Sequence, residues 1–319
     1  MSFIKDVKDE IISFKIENDC CALAFIAGVL YSSANIKQKE DNFEISFVCD
    51  NMELFHFIDD LVEKHYGSSL IIKRDDSPLL NKQESYLVSF PGLIAKQVLL
   101  DCFLISPIDF KIKGRDNFEE FLKEECCESN FVKGVFLMIA TSSIKLSEKA
   151  YEKSTSGYHM EFTSHDYNFL NSLSKVLANK GILAKLVERK KQFVLYLKEA
   201  QLICDLLTFV QAYNSVLALQ NEIVAREMRN AVNRQTNCLS ANISKTVSAN
   251  MKQLEAIDII DSTIGIEALP QELQDVVLLR LANTEESLSE LARLNPNLTK
   301  SGLNHRFRKL ISLANELKD

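Results

Sequence analysis

The sequence predicts an α+β protein: two related halves of mixed helix and strand, then an all-α tail that ends in a helix-turn-helix. Three observations carry this. A Cys-Cys helix occurs once in each half, each copy leads into short alternating segments, and beyond Tyr213 the alternation stops. The boundaries that follow are 1–110 and 111–215 for the two repeats, 216–260 for a basic helical linker, and 261–319 for the helix-turn-helix.

The repeat is legible residue by residue. Cys20, Cys21, Phe25, Gly28 and Val29 recur 106 positions later as Cys126, Cys127, Phe131, Gly134 and Val135. After each such helix comes an alternating stretch, FEISF (43–47) and YHMEF (158–162), the period of a half-buried strand. Amphipathic helices follow at Leu54 to Glu63 and Phe169 to Ala178. Next come strand pairs, SLIIKR with SYLVSF and ILAKLVER with FVLYLK, and closing helices at 93–104 and 201–213. Each half therefore reads helix–strand–strand–helix–strand–strand–helix. A glycine inside a helix costs about 1 kcal/mol relative to alanine. Gly28 and Gly134 at equivalent positions suit either close helix packing or simple spacing in a core helix.

Composition narrows the function classes. A chain of 319 residues with 46% apolar content has material for two or three domains. A net charge of −7 excludes a protein that coats nucleic acid over its whole surface, but leaves room for a local basic patch. The eight cysteines include two adjacent pairs and no Cys-x-x-Cys, so they read as reduced, mostly buried thiols, with no metal site and no cofactor. The N-terminal MSFIKDVKDEII lacks the apolar core of a signal peptide, and the longest apolar run, Cys20 to Tyr31, is 12 residues, too short for a bilayer. The expectation is a cytoplasmic, nucleoid-associated protein with no membrane partner.

FIAGVLYSSANI (25–36), with its small-residue core, resembles the signature helix of the LAGLIDADG homing endonucleases. The resemblance implies a pseudo-twofold pair of half-barrels whose signature helices pack side by side. In those nucleases an acid closing each helix holds divalent metal at the scissile phosphates. Alignment on Gly28 and Gly134 puts Ser33 and Ile139 at those positions, and neither binds magnesium well. Asp50, Asp101 and Asp109 do not pair across the repeat as replacements. A barrel without catalysis is implied: not an enzyme.

Beyond Tyr213, residues 221–260 read as two helical parts separated by NRQTNCLSAN (233–242). From Arg226 to Lys252 there are five basic residues against one acid. Arg229, Asn233, Arg234, Asn237, Asn242 and Lys245 are candidates for DNA contact, while Asn also suits caps and turns. LPQELQDVVLLRLAN (269–283) forms a helix opened by a proline. SLSELARL (287–294) forms a second, with Ser287 and Glu290 in capping-box spacing. A turn containing Pro296 precedes a third helix from about Thr299. Leu303, Phe307 and Leu310 should bury against Leu288, Leu291 and Leu281, turning Lys300, Ser301, Asn304, His305 and Arg308 outward. Between Lys300 and Lys309 there are four basic residues and no acid. As a recognition helix it would aim Thr299, Lys300, Ser301 and Asn304 at base edges, with Arg306, Arg308 and Lys309 on phosphates. An ordinary hairpin with a solvated basic face has the same pattern. His305 has no Cys or second His at zinc-ligand spacing.

The combination resembles the WhiA family of bacterial sporulation and cell-division regulators. The matching residues are SFIKDVKDE (2–10), the Cys-Cys helix, YHMEF, MRNAVNRQTNCLSANISKTVSA (228–249), LPQELQ (269–274) and SLSELARLNPNLTKSGLNHRFRKL (287–310). The resemblance implies a terminal domain similar to sigma-factor region 4. It also implies a partner in double-stranded DNA and a regulator linked to cell division, chromosome segregation or sporulation. A chromosome-associated architectural protein without promoter regulation is the alternative. Residues 1–220 carry 25 basic against 31 acidic side chains, and KLVERKK (185–191) is their best basic run. A duplex repels such a surface, so the tail should supply most of the affinity, with the barrel a scaffold or a surface for a protein partner.

Overall fold

The structure, a computed structural model, describes residues 2–40, 42–74, 85–146, 157–295 and 297–318. The chain divides into two compact units, residues 1–226 and 227–319.

The first unit opens with helix α1 (Phe3–Ser13), whose Phe3, Val7 and Ile11 recur every fourth residue and are buried. The two repeats follow in the same order. The first runs α2 (Asp19–Ser33), β1 (Asn35–Lys39), β2 (Asn42–Cys49), α3 (Met52–Tyr66), β3 (Ile71–Arg74), β4 (Tyr86–Ser89) and α4 (Gly92–Asp101). The second runs α5 (Glu125–Ile139), β5 (Ala140–Ser142), β6 (Met160–Ser164), α6 (Tyr167–Asn179), β7 (Lys185–Arg189), β8 (Gln192–Leu197) and α7 (Ala200–Phe209). Each repeat makes one antiparallel four-stranded sheet, ordered β1-β2-β4-β3 and β5-β6-β8-β7. Phe47 stands opposite Val88 in the first sheet and Phe162 opposite Leu195 in the second. Alternation fixes the faces: Phe43, Ile45, Phe47 and Cys49 are buried while the intervening residues are not. The predicted order of elements is therefore the observed one.

Helices α2 and α5 lie side by side, and glycine decides how closely. A Cβ added to Gly28 would overlap the Phe131 carbonyl oxygen and lie 3.1 Å from the Val135 nitrogen. One added to Gly134 would overlap the Phe25 carbonyl oxygen and lie 2.9 Å from the Val29 nitrogen. Those obstacles are backbone and cannot swing aside, so of the two readings of these glycines, close packing is the one realised. The segment joining the repeats wraps this contact: Phe118 stacks on Phe131 at 4.7 Å, and the Tyr31 hydroxyl donates to the Asn117 carbonyl at 2.9 Å.

Helix α8 (Tyr213–Thr263) is unbroken over 51 residues. This corrects the expectation of two helical parts parted by a turn at 233–242. The span contains neither glycine nor proline, and its Ala, Leu, Arg, Gln and Met favour helix enough to carry the asparagines through. The capping and turn role considered for those asparagines is thereby ruled out. The start of α8 is held by α1: Glu10 accepts from the Asn214 and Ser215 amides at 2.6 and 2.9 Å and from the Ser215 hydroxyl at 2.6 Å. A carboxylate there meets both the orphan amides and the positive end of the helix dipole.

The second unit has its own core. Ala256, Ile257 and Ile260 near the end of α8 join α9 (Gln271–Ala282), α10 (Leu288–Leu294) and α11 (Lys300–Lys318). Ser287 caps α10 in the predicted capping box with Glu290. Pro296 lies outside the described residues.

Candidate nucleic-acid interface

Two helix ends bear on function: the C-terminus of α2, where the nuclease chemistry would sit, and the N-terminus of α11, where a helix-turn-helix reads DNA.

At the first, neither signature helix ends in an acid, and Asp166, which lines the same hollow as Ser33 and Arg115, serves as the N-cap of α6, accepting from the Phe169 amide at 3.1 Å. The Ser33 hydroxyl donates back to the Val29 carbonyl at 2.7 Å, and Ile139 packs against the core. Arg115, from the segment joining the repeats, donates to the Tyr31 carbonyl at 3.0 Å and to the Ala34 carbonyl. A guanidinium suits the carbonyl-rich end of a helix and remains protonated; it would also repel a divalent ion. Of the acids weighed as replacements, Asp109 pairs with Lys111 at 3.3 Å and Asp101 accepts from Gln97 at 2.7 Å.

At the second, the helix-turn-helix is assembled by contacts that the leucine pattern did not announce. Leu303, Phe307 and Leu310 of α11 are buried, as is Leu291 of α10, with Leu288 packed against them. Leu281, expected among them, is 46% exposed; its place is taken by Val276 and Val277 one turn earlier on α9. Arg280 is fully buried. Its Nη1 donates to the Asn283 and Glu286 carbonyls at 3.1 and 2.7 Å, and its guanidinium lies 5.4 Å from the Phe307 ring centroid. Burial lowers its pKa from the ordinary arginine value. From α8, the buried Asn250 amide lies 3.2–3.3 Å from the carbonyls of Thr284, Glu285 and Glu286. The turn between α9 and α10 is thus pinned from two helices, which orients α10 and, through Phe307, α11.

The predicted contact residues are distributed unevenly. Thr299, Lys300 and Ser301 are exposed at the first turn of α11, and the Thr299 hydroxyl caps it by accepting from the Gly302 amide at 3.1 Å. His305, Arg308 and Lys309 are exposed, and Asn304 is half-buried. Arg306 is half-buried too and pairs with Glu272 of α9 at 3.4 Å, so it faces the protein more than its neighbours do. On α8, Asn233, Arg234, Asn237, Asn242 and Lys245 are exposed along continuous helix, and Arg229 is half-buried. At about 100° per residue these six spread over about 220° of α8, more than half its circumference. Val232, Leu239 and Ile243, each 56–64% exposed, lie in the remaining sector. The KLVERKK run forms the exposed end of the β7–β8 hairpin, with Lys190 and Lys191 at φ of 47° and 68°.

Residues 22–87 and 128–229 match the WhiA LAGLIDADG-like domain, and residues 232–314 match the WhiA C-terminal HTH domain. The chain belongs to the WhiA family. Probable cell division proteins WhiA from Caldicellulosiruptor bescii and Clostridium novyi are each 34% identical to it. The alignments span 326 and 329 residues, cover 100% of this chain in both cases, and cover 96% and 99% of those proteins. The crystal structure of full-length DUF199/WhiA from Thermatoga maritima shares the fold, with a TM-score of 0.58 at 20% identity over 99% of each chain. The WhiA LAGLIDADG-like domain is thus the two-repeat unit built around Gly28 and Gly134, and the WhiA HTH domain contains every candidate contact on α11. Among the described residues no helix is long and apolar enough to cross a membrane.

One grouping escaped sequence reasoning. Cys20, Cys21, Cys126 and Cys127 bring four sulfur atoms within 4.8 Å of one another. The sign of it was present: Cys21 precedes Gly28, and Cys127 precedes Gly134, by seven residues. Two helical turns put each cysteine on the face its glycine presents to the other helix.

Proposed function

We propose that this WhiA chain is a sequence-specific, non-catalytic DNA-binding regulator linked to cell division, chromosome segregation or sporulation, which reads the major groove with the first turn of α11. The observation that carries the reading is the exposed run Thr299, Lys300 and Ser301 on the second helix of a pinned helix-turn-helix. Asn304 lies one turn further along. Short polar side chains and a lysine at a helix N-terminus reach base edges, whereas longer cations further along reach the flanking phosphates. Arg308 and Lys309 fill that second role on α11; Arg229, Arg234 and Lys245, with Asn233, Asn237 and Asn242, fill it on α8. His305 adds a donor at the groove edge. Arg306 contributes once it leaves Glu272.

The barrel is proposed to be catalytically inert. Hydrolysis by this fold needs an acid from each signature helix, and here the positions hold a serine bonded to its own helix and a core-packed isoleucine, with the half-buried Arg115 on the carbonyls that end α2. The acidic excess of residues 1–220 makes the barrel a scaffold or a surface for a protein partner, within a nucleoid-associated cytoplasmic protein.

The test is duplex selection with the full chain, followed by titration of the preferred site and a scrambled one. Lys300→Ala and Asn304→Ala should shrink the difference between the two sites, by about 1–3 kcal/mol for each lost bidentate contact. Equal weakening on both duplexes would refute base reading by α11. Supercoiled DNA carrying the site should survive magnesium or manganese uncut. Genome-wide occupancy set against transcript changes on depletion tests regulation itself.

A further inference from the structure

Opposite the lost nuclease position, at the other end of the same two helices, the first turns of α2 and α5 meet. Cys20 and Cys21 come from one repeat, Cys126 and Cys127 from the other, and all eight cysteines of the chain are free thiols. We propose that these four sulfurs form a structural zinc site that joins the two repeats across their pseudo-twofold axis.

The geometry argues for a single tetrahedral ion. Zinc–sulfur bonds of about 2.3 Å place the sulfurs of a tetrahedral site about 3.8 Å apart. The four sulfurs here all lie within 4.8 Å of one another, so small χ1 rotations close the shell. Two ligands are buried, Cys21 and Cys127, and two are exposed, Cys20 and Cys126. That arrangement gives an inner pair and an outer pair, set by the glycines that let α2 and α5 approach.

The chemistry selects the metal. An all-thiolate set is soft and prefers zinc to magnesium or calcium. All four coordination positions are supplied by the chain, leaving none for water or substrate, which is the pattern of a structural site. On binding, the four thiols release their protons to solvent, and a zinc ion with four thiolates carries a net charge of −2. The surroundings offset that charge. Neither the Asn18 nor the Glu124 side chain caps its helix, so neither competes with the sulfurs for the first-turn amides of α2 and α5. The hollow beside Cys21 and Cys126 is lined by two cations against one acid, Glu17: Lys15 and the buried Lys133, whose Nζ is held 2.7 Å from Gln211 Oε1. The acids of the first turn of α5 are occupied elsewhere, with Lys180 at 3.4 Å from Glu125 and 2.9 Å from Glu128.

The experiment uses the full chain, purified in reductant without chelator. Elemental analysis should find one zinc per chain. Replacement by cobalt(II) should give the intense thiolate charge-transfer and visible bands of a tetrahedral four-sulfur site. Cys20→Ser with Cys126→Ser alters only exposed positions, so helix content by circular dichroism should persist while bound metal falls from one equivalent to none. Cys238→Ser, on α8, should leave metal content unchanged. Chelation should lower the melting temperature of the parent chain and leave that of the double variant where it is. The proposal is overturned if the reduced parent chain takes up neither zinc nor cobalt, or if the double variant holds as much metal as the parent. Iron with sulfide at the site, or disulfides linking the two pairs, would overturn it too.

Discussion

Replacing Gly28 with alanine tests the contact on which the whole first unit is built. The substitution has two opposed effects. Alanine is about 1 kcal/mol better than glycine inside a helix, so with no obstacle the variant would be more stable. The new Cβ, however, would overlap the Phe131 carbonyl oxygen and crowd the Val135 nitrogen at 3.1 Å. Because those atoms belong to α5 itself, relief requires the two helices to separate along their packed length. Overpacking of that kind costs about 3 kcal/mol at the upper end of its usual range, leaving a net loss of about 2 kcal/mol. For a unit of this size each kcal/mol moves the melting temperature by about 2–4 °C, so a drop of about 4–8 °C is expected by calorimetry or circular dichroism. Gly92→Ala is the control, since nothing lies within 4 Å of a Cβ there; it should be neutral or slightly stabilising. Gly28→Ala and Gly134→Ala act on one interface, so their losses should fall short of adding. If Gly28→Ala melted at or above the parent temperature, the close approach of α2 and α5 would be refuted.

Other outcomes follow from the second unit. Ser287→Ala should cost about 1 kcal/mol by removing the hydroxyl that caps α10, read as a lower urea midpoint for that unit; an unchanged midpoint would show the cap to be idle. Arg280→Met keeps the bulk but strips two carbonyls of their charged donor, a loss of about 3 kcal/mol; a variant as stable as the parent would mean that Asn250 and apolar packing hold the α9–α10 turn without it. Arg308→Ala should weaken all duplexes alike and lower the salt slope of binding by about one; a sequence-dependent loss would move Arg308 from phosphate to base contact.

How much of this was legible in the sequence depended on whether the needed information was local. Strand alternation in FEISF, the spacing of Leu303, Phe307 and Leu310, and the Ser287–Glu290 box are properties of neighbours along the chain, and each reappears in the structure. The recurrence of Cys-Cys and Gly 106 residues apart carried the tandem architecture as well. What stayed hidden depends on which surfaces meet. Leu281 has the spacing of a core residue, but it stands on the solvent side of α9, and the buried arginine one residue earlier breaks the apolar pattern that would have shown it. Asparagine-rich 233–242 suggested a turn because Asn favours turns, whereas an exposed helix tolerates it when no glycine or proline intervenes. The cysteine cluster needed one more step, from equivalence in two repeats to proximity in space. Arg115 left no trace in the sequence, since nothing local ties it to carbonyls 81 and 84 residues away.

The carboxylate of Glu10 meets an amide 204 residues further along the chain. During synthesis at about 5–20 residues per second, the first helix therefore waits roughly 10–40 s for the partner that completes its contacts. Over that interval the apolar stripe of Phe3, Val7 and Ile11 can settle on α3 and, once it is made, on β5 of the second repeat. The contact that ties α1 to α8 is thus made only after both repeats have been synthesised, and truncation before residue 214 should leave α1 open to proteases.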